Sequence, residues 1–234
     1  MNNIYIPPIV KNLLIINILF FVATYFLRST IDLENMLAVY YFDSPKFGGW
    51  QVLTYMFMHG GIAHIFFNMF ALYSFGSLLE TRWGGKKFLI FYLITGLGAL
   101  LLQWAVQAFE VQQIIGQFTL FEGWQNQIKS QADYQTIGQI YGGGMLGASG
   151  AVFGLLVAFG MLYPNAELYI MFIPVPVKAK YIIPFYILVE LFLGVGRFEG
   201  DSIAHYAHLG GALIGFILVK IWKDKNTNFY TYYE

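Results

Sequence analysis

The chain has 234 residues, of which 58% are hydrophobic, 19% aromatic and only 11% charged, and it contains no cysteine. An ordinary soluble domain is about 45–50% apolar and about 25% charged, so a water-soluble globule of this size could not hide so much apolar surface. Thirteen basic residues balance thirteen acidic ones, which argues against nucleic acid as a partner. The absence of cysteine removes a disulfide framework, a thiol nucleophile and a thiolate metal site. The composition is that of an integral membrane protein, with the lipid bilayer as its first partner.

A spanning helix needs roughly 20 mostly apolar residues. The first candidate covers residues 9–27 and is interrupted by Lys11, which can snorkel from near its end. No small-residue cleavage site follows Leu27 and Arg28, so it is expected to be retained rather than removed as a signal peptide. Loop 29–61 mixes charges with Tyr40, Tyr41, Phe42, Phe47 and Trp50, as expected of a segment lying at the membrane interface. Further spans are expected at 62–79, 88–108, 145–163, 181–195 and 203–219, giving six in all. Loop 109–144 is polar and Gln-rich, and 165–180, with Pro174 and Pro176, reads as a tight connector. No internal repeat is evident, so residues 1–234 are expected to form a single all-α domain.

Placing both termini in the cytoplasm puts nine basic residues inside (Lys11, Arg82, Lys86, Lys87, Lys178, Lys180, Lys220, Lys223 and Lys225) and four outside (Arg28, Lys46, Lys129 and Arg197). Spans two, four and six then all run inward from the outer side. A polar side chain in hydrocarbon is costly and marks a bundle interior or a watery cavity. These three spans carry most of them: His64 and Asn68 four apart in span two, Ser149 between Gly147-Ala148 and Gly150 in span four, and His205 and His208 in span six. At about 1.5 Å per residue, Ser149 lies roughly 21 Å above Tyr163, and His208 and Asn68 each roughly 18 Å above Lys220 and Glu80. One depth supports one site. Taken singly, Ser149 could be a packing residue, because Gly150-xxx-Gly154 and Gly211-xxx-Gly215 are close-approach patterns. His59 and His205 read more simply as interfacial.

A serine hydroxyl becomes a useful nucleophile when a base takes its proton, and a neutral imidazole is the usual base. Ser149 with His208 would make that pair. Spans two, four and six offer no interior carboxylate as a third member, so packing is expected to hold the imidazole, with Phe153 supplying a ring. Attack on an amide needs preorganised donors for the oxyanion. The Ser149 N–H at a positive helix end and the His64 and Asn68 side chains are the candidates, and the flanking glycines, Gly147 among them, let backbone approach substrate. The zinc-protease pattern H-E-x-x-H and facing intramembrane aspartates are both absent. Gly147-Ala148-Ser149-Gly150-Ala151 lacks the last glycine of a nucleophile elbow. No metal or other cofactor is expected. Glu190, in the middle of span five, is the one feature favouring a transporter, against which stands a buried carboxyl hydrogen-bonded to a neighbouring helix.

Together, Gly147-Ala148-Ser149-Gly150, the run Ala207-His208-Leu209-Gly210-Gly211 through Gly215, and His64-xxx-Asn68 resemble the rhomboid intramembrane serine proteases over about residues 50–219. The resemblance implies a six-helix rhomboid-like bundle with Ser149 as nucleophile, His208 as base, and His64 and Asn68 on the oxyanion. It also implies membrane-protein substrates cut in or near their transmembrane segments. Glu80-Thr81-Arg82 matches a structural motif of the family, and His59 a histidine that shapes the first loop. Two positions depart from it: Trp50-Gln51 stands where Trp-Arg is frequent, and Phe153 where tyrosine often packs on the catalytic histidine. The expectation is a minimal enzyme of bacterial type in an inner membrane, with its site open to the extracytoplasmic side under a mobile loop at about 196–204. The competing expectation is a catalytically inactive relative that binds client helices.

Overall fold

In the computed structural model, which describes residues 5–169, 175–196 and 204–222, the apolar runs become helices. Five are long and apolar enough to cross a membrane: α1 (Pro8–Leu27), a composite helix over Ile62–Trp83, α6 (Gly85–Ile115), α9 (Ala179–Gly196) and α10 (His205–Trp222). The composite helix is α4 (Ile62–Ala71), a π turn at Leu72–Gly76, and α5 (Ser77–Trp83). The predicted fourth span is represented by α8 (Ser149–Leu162), with 14 residues. At about 1.5 Å per residue it is roughly 21 Å long, short of a hydrocarbon layer of about 30 Å. Residues 145–148 precede it as extended chain and turn rather than helix. The chain is a predominantly helical membrane protein.

Loop 29–61, expected at the membrane interface, is a folded element with its own packed side chains. It contains the short helices α2 (Leu33–Leu37) and α3 (Gln51–Thr54), and an isolated antiparallel bridge joins Val39 to Met145. Tyr40 and Tyr41 are buried, with the Tyr41 hydroxyl donating to the Phe118 carbonyl at 2.8 Å and the Trp104 indole donating to the Tyr40 carbonyl at 3.0 Å. Gln51, which stands where the family resemblance leads to an arginine, is 1% exposed. Its amide accepts from the Gly48 N–H at 3.1 Å and donates to the Lys46 and Met36 carbonyls at 3.1 and 3.3 Å. A neutral amide, which offers both a donor and an acceptor, meets the needs of a buried turn without burying a charge.

Segment 109–144 is likewise ordered. Helix α6 runs on to Ile115, and α7 (Gln131–Gly142) is capped by the Ser130 side chain accepting from the Asp133 N–H. Val111, Ile115, Ile137, Ile140 and Tyr141 close a second apolar cluster on Tyr41. The connector at 165–180 contains a short hairpin pairing β1 (Glu167–Tyr169) with β2 (Pro176–Lys178); Pro174 lies outside the described residues. Glu80, buried near the end of α5, accepts from the Ile9 and Val10 N–H groups at 2.9 and 2.7 Å. It thereby satisfies donors that the first turn of α1 cannot pair internally. Arg82 sits 5.5 Å from the centre of the Tyr163 ring, beyond the far end of α8. Both residues therefore join helix ends, which is the structural work the resemblance assigns to this motif.

The centre of the bundle is α6, α8 and α10 packed on faces of small residues. A Cβ on Gly211 would lie 1.8 Å from the Gly150 carbonyl oxygen, and one on Gly215 would lie 2.8 Å from the Gly154 backbone. A Cβ on Gly150 would meet Ala99 at 2.4 Å, and one on Gly210 the Gly98 carbonyl at 2.8 Å. In lipid there is no hydrophobic drive between helices, so such close backbone approach supplies the packing attraction that holds them. Gly211→Ala should therefore cost about 1–3 kcal/mol or more through overpacking. Gly138→Ala, on an open face of α7, should leave thermal unfolding in detergent unchanged or slightly raised. Equal melting curves for Gly211→Ala and wild type would contradict this account of the interface.

Candidate active site

The N-terminal ends of α4, α8 and α10 converge. Ser149 is the first residue of α8, His208 the fourth of α10 and His64 the third of α4. The Ser149 hydroxyl lies 2.8 Å from His208 Nε2. The Phe153 ring, one turn along α8, stacks on the imidazole at 4.3 Å between centroids and 10° between planes. The structure thus brings together the serine, the histidine and the supporting ring expected from the sequence. Gly150 and Gly211 permit the contact, because their missing side chains let α8 and α10 come close enough for Ser149 and His208 to touch.

Gly147 adopts φ of 129°, a region that disfavours side chains. A Cβ there would also fall 2.9 Å from His64 Nε2 and 3.5 Å from Ser149 Oγ. Its N–H is engaged with the Tyr55 carbonyl at 2.9 Å, so this glycine shapes the site rather than donating to an oxyanion. Donors remain at the helix start. The first bond from α8 onto its own turn runs from the Val152 N–H to the Ala148 carbonyl, leaving the Ser149, Gly150 and Ala151 N–H groups without a helical acceptor. Ala148 provides no side-chain cap. Asn68 is buried, and its Nδ2 donates to the His64 carbonyl at 2.9 Å, leaving one of its two amide hydrogens for other use.

Two sequence expectations are corrected here. His59 and His205 were expected at the interface, yet both are buried. The His59 ring packs edge-on to His64, 5.0 Å between centroids, where it backs the site wall. Burial, with a smaller contribution from His64, pushes its pKa down to about 4. His205 Nδ1 lies 2.6 Å from Glu190 Oε2, and His208 Nδ1 lies 2.9 Å from the same oxygen. The expectation that packing alone holds the His208 ring was wrong, because a carboxylate from α9 also holds it. The available signal was His205 and His208 three apart on one helix face, together with a lone acid in the middle of α9.

Glu190, His205 and His208 are donor types that could hold a metal, with ligand atoms within 4.8 Å of one another. As they stand, the 2.6 and 2.9 Å separations are hydrogen-bond distances. Two ligands of a tetrahedral zinc with bonds of about 2.0 Å would stand roughly 3.3 Å apart. The cluster therefore fits shared protons. The mobile loop expected at about 196–204 falls largely outside the described residues; Gly194, at its near edge, accepts from the Tyr206 hydroxyl at 2.9 Å.

Comparison with known proteins assigns a family. The Rhomboid domain family model matches residues 46–224. RHOMBOID-like protein 4 of Arabidopsis thaliana is 30% identical over 170 residues, covering 73% of this chain and 33% of that protein. Rhomboid protein 1, mitochondrial, of Saccharomyces cerevisiae is 29% identical over 167 residues, 71% of this chain and 40% of that one. Rhomboid protease GluP of Bacillus subtilis is 44% identical over a shorter stretch of 48 residues, 20% of this chain and 10% of that one. The chain spans about a third to a half of the length of the curated relatives that it matches over most of its own length.

The depressed pKa of His59 gives stability a pH dependence. Below the unfolded value of 6.5 the unfolded chain binds the proton and the folded one does not, so stability is lost as pH falls from about 6.5 towards 4. The melting temperature in detergent should drop across that window, and drop less in His59→Phe. Identical pH slopes for the two proteins would exclude His59 as a source.

Proposed function

The chain belongs to the rhomboid family, and from that premise we propose that it is an intramembrane serine endopeptidase cleaving transmembrane or membrane-proximal segments of other membrane proteins. One observation carries the reading: a serine hydroxyl at the start of a buried helix, 2.8 Å from an imidazole nitrogen. Ser149 Oγ attacks the scissile carbonyl carbon while its proton passes to His208 Nε2. The oxyanion forms beside the free N–H groups of α8, with the positive helix end, His64 and the second Asn68 hydrogen as further donors. The carbon–nitrogen bond then breaks as His208 returns its proton to the leaving amine. Water, activated by the same imidazole, releases the acyl group from Ser149. No cofactor is required by these steps.

A substrate helix hides its amides in intrahelical hydrogen bonds, so it must unwind before Ser149 can reach one. The excess of basic residues on one set of loops puts both termini in the cytoplasm with six crossings, so the site opens away from the cytoplasm. The relatives come from plants, a yeast mitochondrion and a bacterium, and give a bacterial inner membrane no particular support. Glu190, the one residue that favoured transport, is engaged by two histidines. The competing reading is an inactive rhomboid-like protein that holds client helices; the intact Ser149–His208 pair weighs against it.

Labelling of the purified protein with a fluorophosphonate probe tests the proposal. Wild type should label with the adduct on Ser149, and Ser149→Ala and His208→Ala should not. Absence of labelling in both detergent and bilayers would favour the binding protein, and equal labelling of Ser149→Ala would mean a different nucleophile. Asn68→Ala should slow turnover about 10–1000-fold if its amide donates to the oxyanion; a wild-type rate would remove it from the site.

A further inference from the structure

The protease reading needs only Ser149 and His208 to move protons, yet the imidazole has a second nitrogen, and that nitrogen is occupied. Glu190 is 4% exposed, in the middle of α9. Its Oε2 receives His208 Nδ1 at 2.9 Å and His205 Nδ1 at 2.6 Å. We propose, resting on the protease reading above, that Glu190 is a positioning residue which completes a Ser149–His208–Glu190 triad, and that His205 is the second clamp on its carboxylate.

Proton bookkeeping supports the assignment. An ionised carboxylate oxygen only accepts, so both imidazoles that point Nδ1 at it must carry their proton there. His208 in its neutral form then has a bare Nε2, the nitrogen facing the Ser149 hydroxyl. A Glu190 protonated on Oε2 would place its hydrogen towards one of the rings, forcing that ring into the opposite tautomer and breaking the alignment, and one protonated on Oε1 would lose the charge that strengthens both bonds. His205 disfavours that state, because the buried carboxylate receives two strong donors at one oxygen and loses one if it is neutralised.

Charge supports it as well. When Ser149 Oγ bonds to the substrate carbon, its proton moves to His208 Nε2 and the ring becomes an imidazolium. Glu190 keeps its negative charge and takes no proton, so the new cation forms next to a fixed anion in a medium where an unpaired charge is costly. The Phe153 ring fixes the plane of the imidazole and Glu190 its rotation within that plane. The other titratable groups near the relay are Tyr186, one turn earlier on α9, and His64, facing His208 from α4. Helix α8 contributes no ionisable carboxylate or base.

The test uses the full-length protein in detergent micelles, with two independent readouts. The first is the second-order rate of fluorophosphonate labelling at Ser149 across pH 5–9 for wild type, Glu190→Gln and His205→Asn. Glu190→Gln keeps the size and an acceptor but removes the charge. It should slow labelling by about 10²–10⁴-fold at pH 7 and displace the acid limb of the rate profile, because the imidazolium has lost its counter-charge. His205→Asn should fall between the two. The second readout is the nitrogen NMR signature of His208 in the wild-type protein, which should show hydrogen on Nδ1 and a bare Nε2. A wild-type rate and an unmoved profile in folded Glu190→Gln, or hydrogen on His208 Nε2 in wild type, would overturn the proposal. Failure of wild type to label would instead count against the protease reading, while the NMR signature would still decide the tautomer.

Discussion

Most of this structure depends on how closely two helix backbones approach at Gly150 and Gly211. A Cβ on Gly211 would sit 1.8 Å from the Gly150 carbonyl oxygen, so the contact exists only between residues with no side chain. Because the bilayer offers no hydrophobic gain for bringing helices together, van der Waals contact between bare backbones has to supply the attraction. The same pairing sets the chemistry. Residues 149 and 208 flank the contact, and a wider separation of α8 and α10 would open the 2.8 Å hydrogen bond between serine and imidazole.

Around that contact, three buried polar side chains are answered by specific partners in the low-dielectric interior. Glu80 receives the two N–H groups at the start of α1, Gln51 ties three backbone groups of the first loop, and Glu190 receives two imidazoles. Glu80 joins α5 to α1 and Glu190 joins α9 to α10, whereas Gln51 ties one loop to itself. An unanswered polar group in such surroundings costs several kcal/mol, so each pairing also selects one arrangement of the helices over its alternatives. The N–H groups at the start of α8 stand apart, because neither a helical carbonyl nor a side-chain cap takes them. Donors left open beside a serine suit an oxyanion that forms only during reaction.

The histidines show how far residue-by-residue reading reaches. His64 and His208 stood out because a polar group in an apolar span demands a reason, and their similar depth followed from helical rise alone. His59 and His205 did not, because a histidine near a helix end is also at home in an interface. What separates the two cases is which way the helix end faces, and that is set by neighbouring helices. Loop 29–61 shows the same limit. Its aromatic content is that of an interfacial strip, but Tyr40 and Tyr41 are buried, and Tyr41 packs into a cluster with α7 and the end of α6, which the polar composition of 109–144 concealed.

The sequence by itself determined the membrane character, the six apolar segments, the candidate Ser149 and His208 pair and the glycine faces that bring them together. Those follow from composition, from helical spacing and from the high cost of polar groups in lipid, all of which act locally along the chain. Only the tertiary structure decided that α8 is shorter than a full span, that Gln51 can take over a buried turn, and that Glu190 of α9 reaches over to the histidines of α10. Those outcomes turn on how helices cross and rotate against one another, a balance of many small contacts between residues distant in sequence that no single segment encodes.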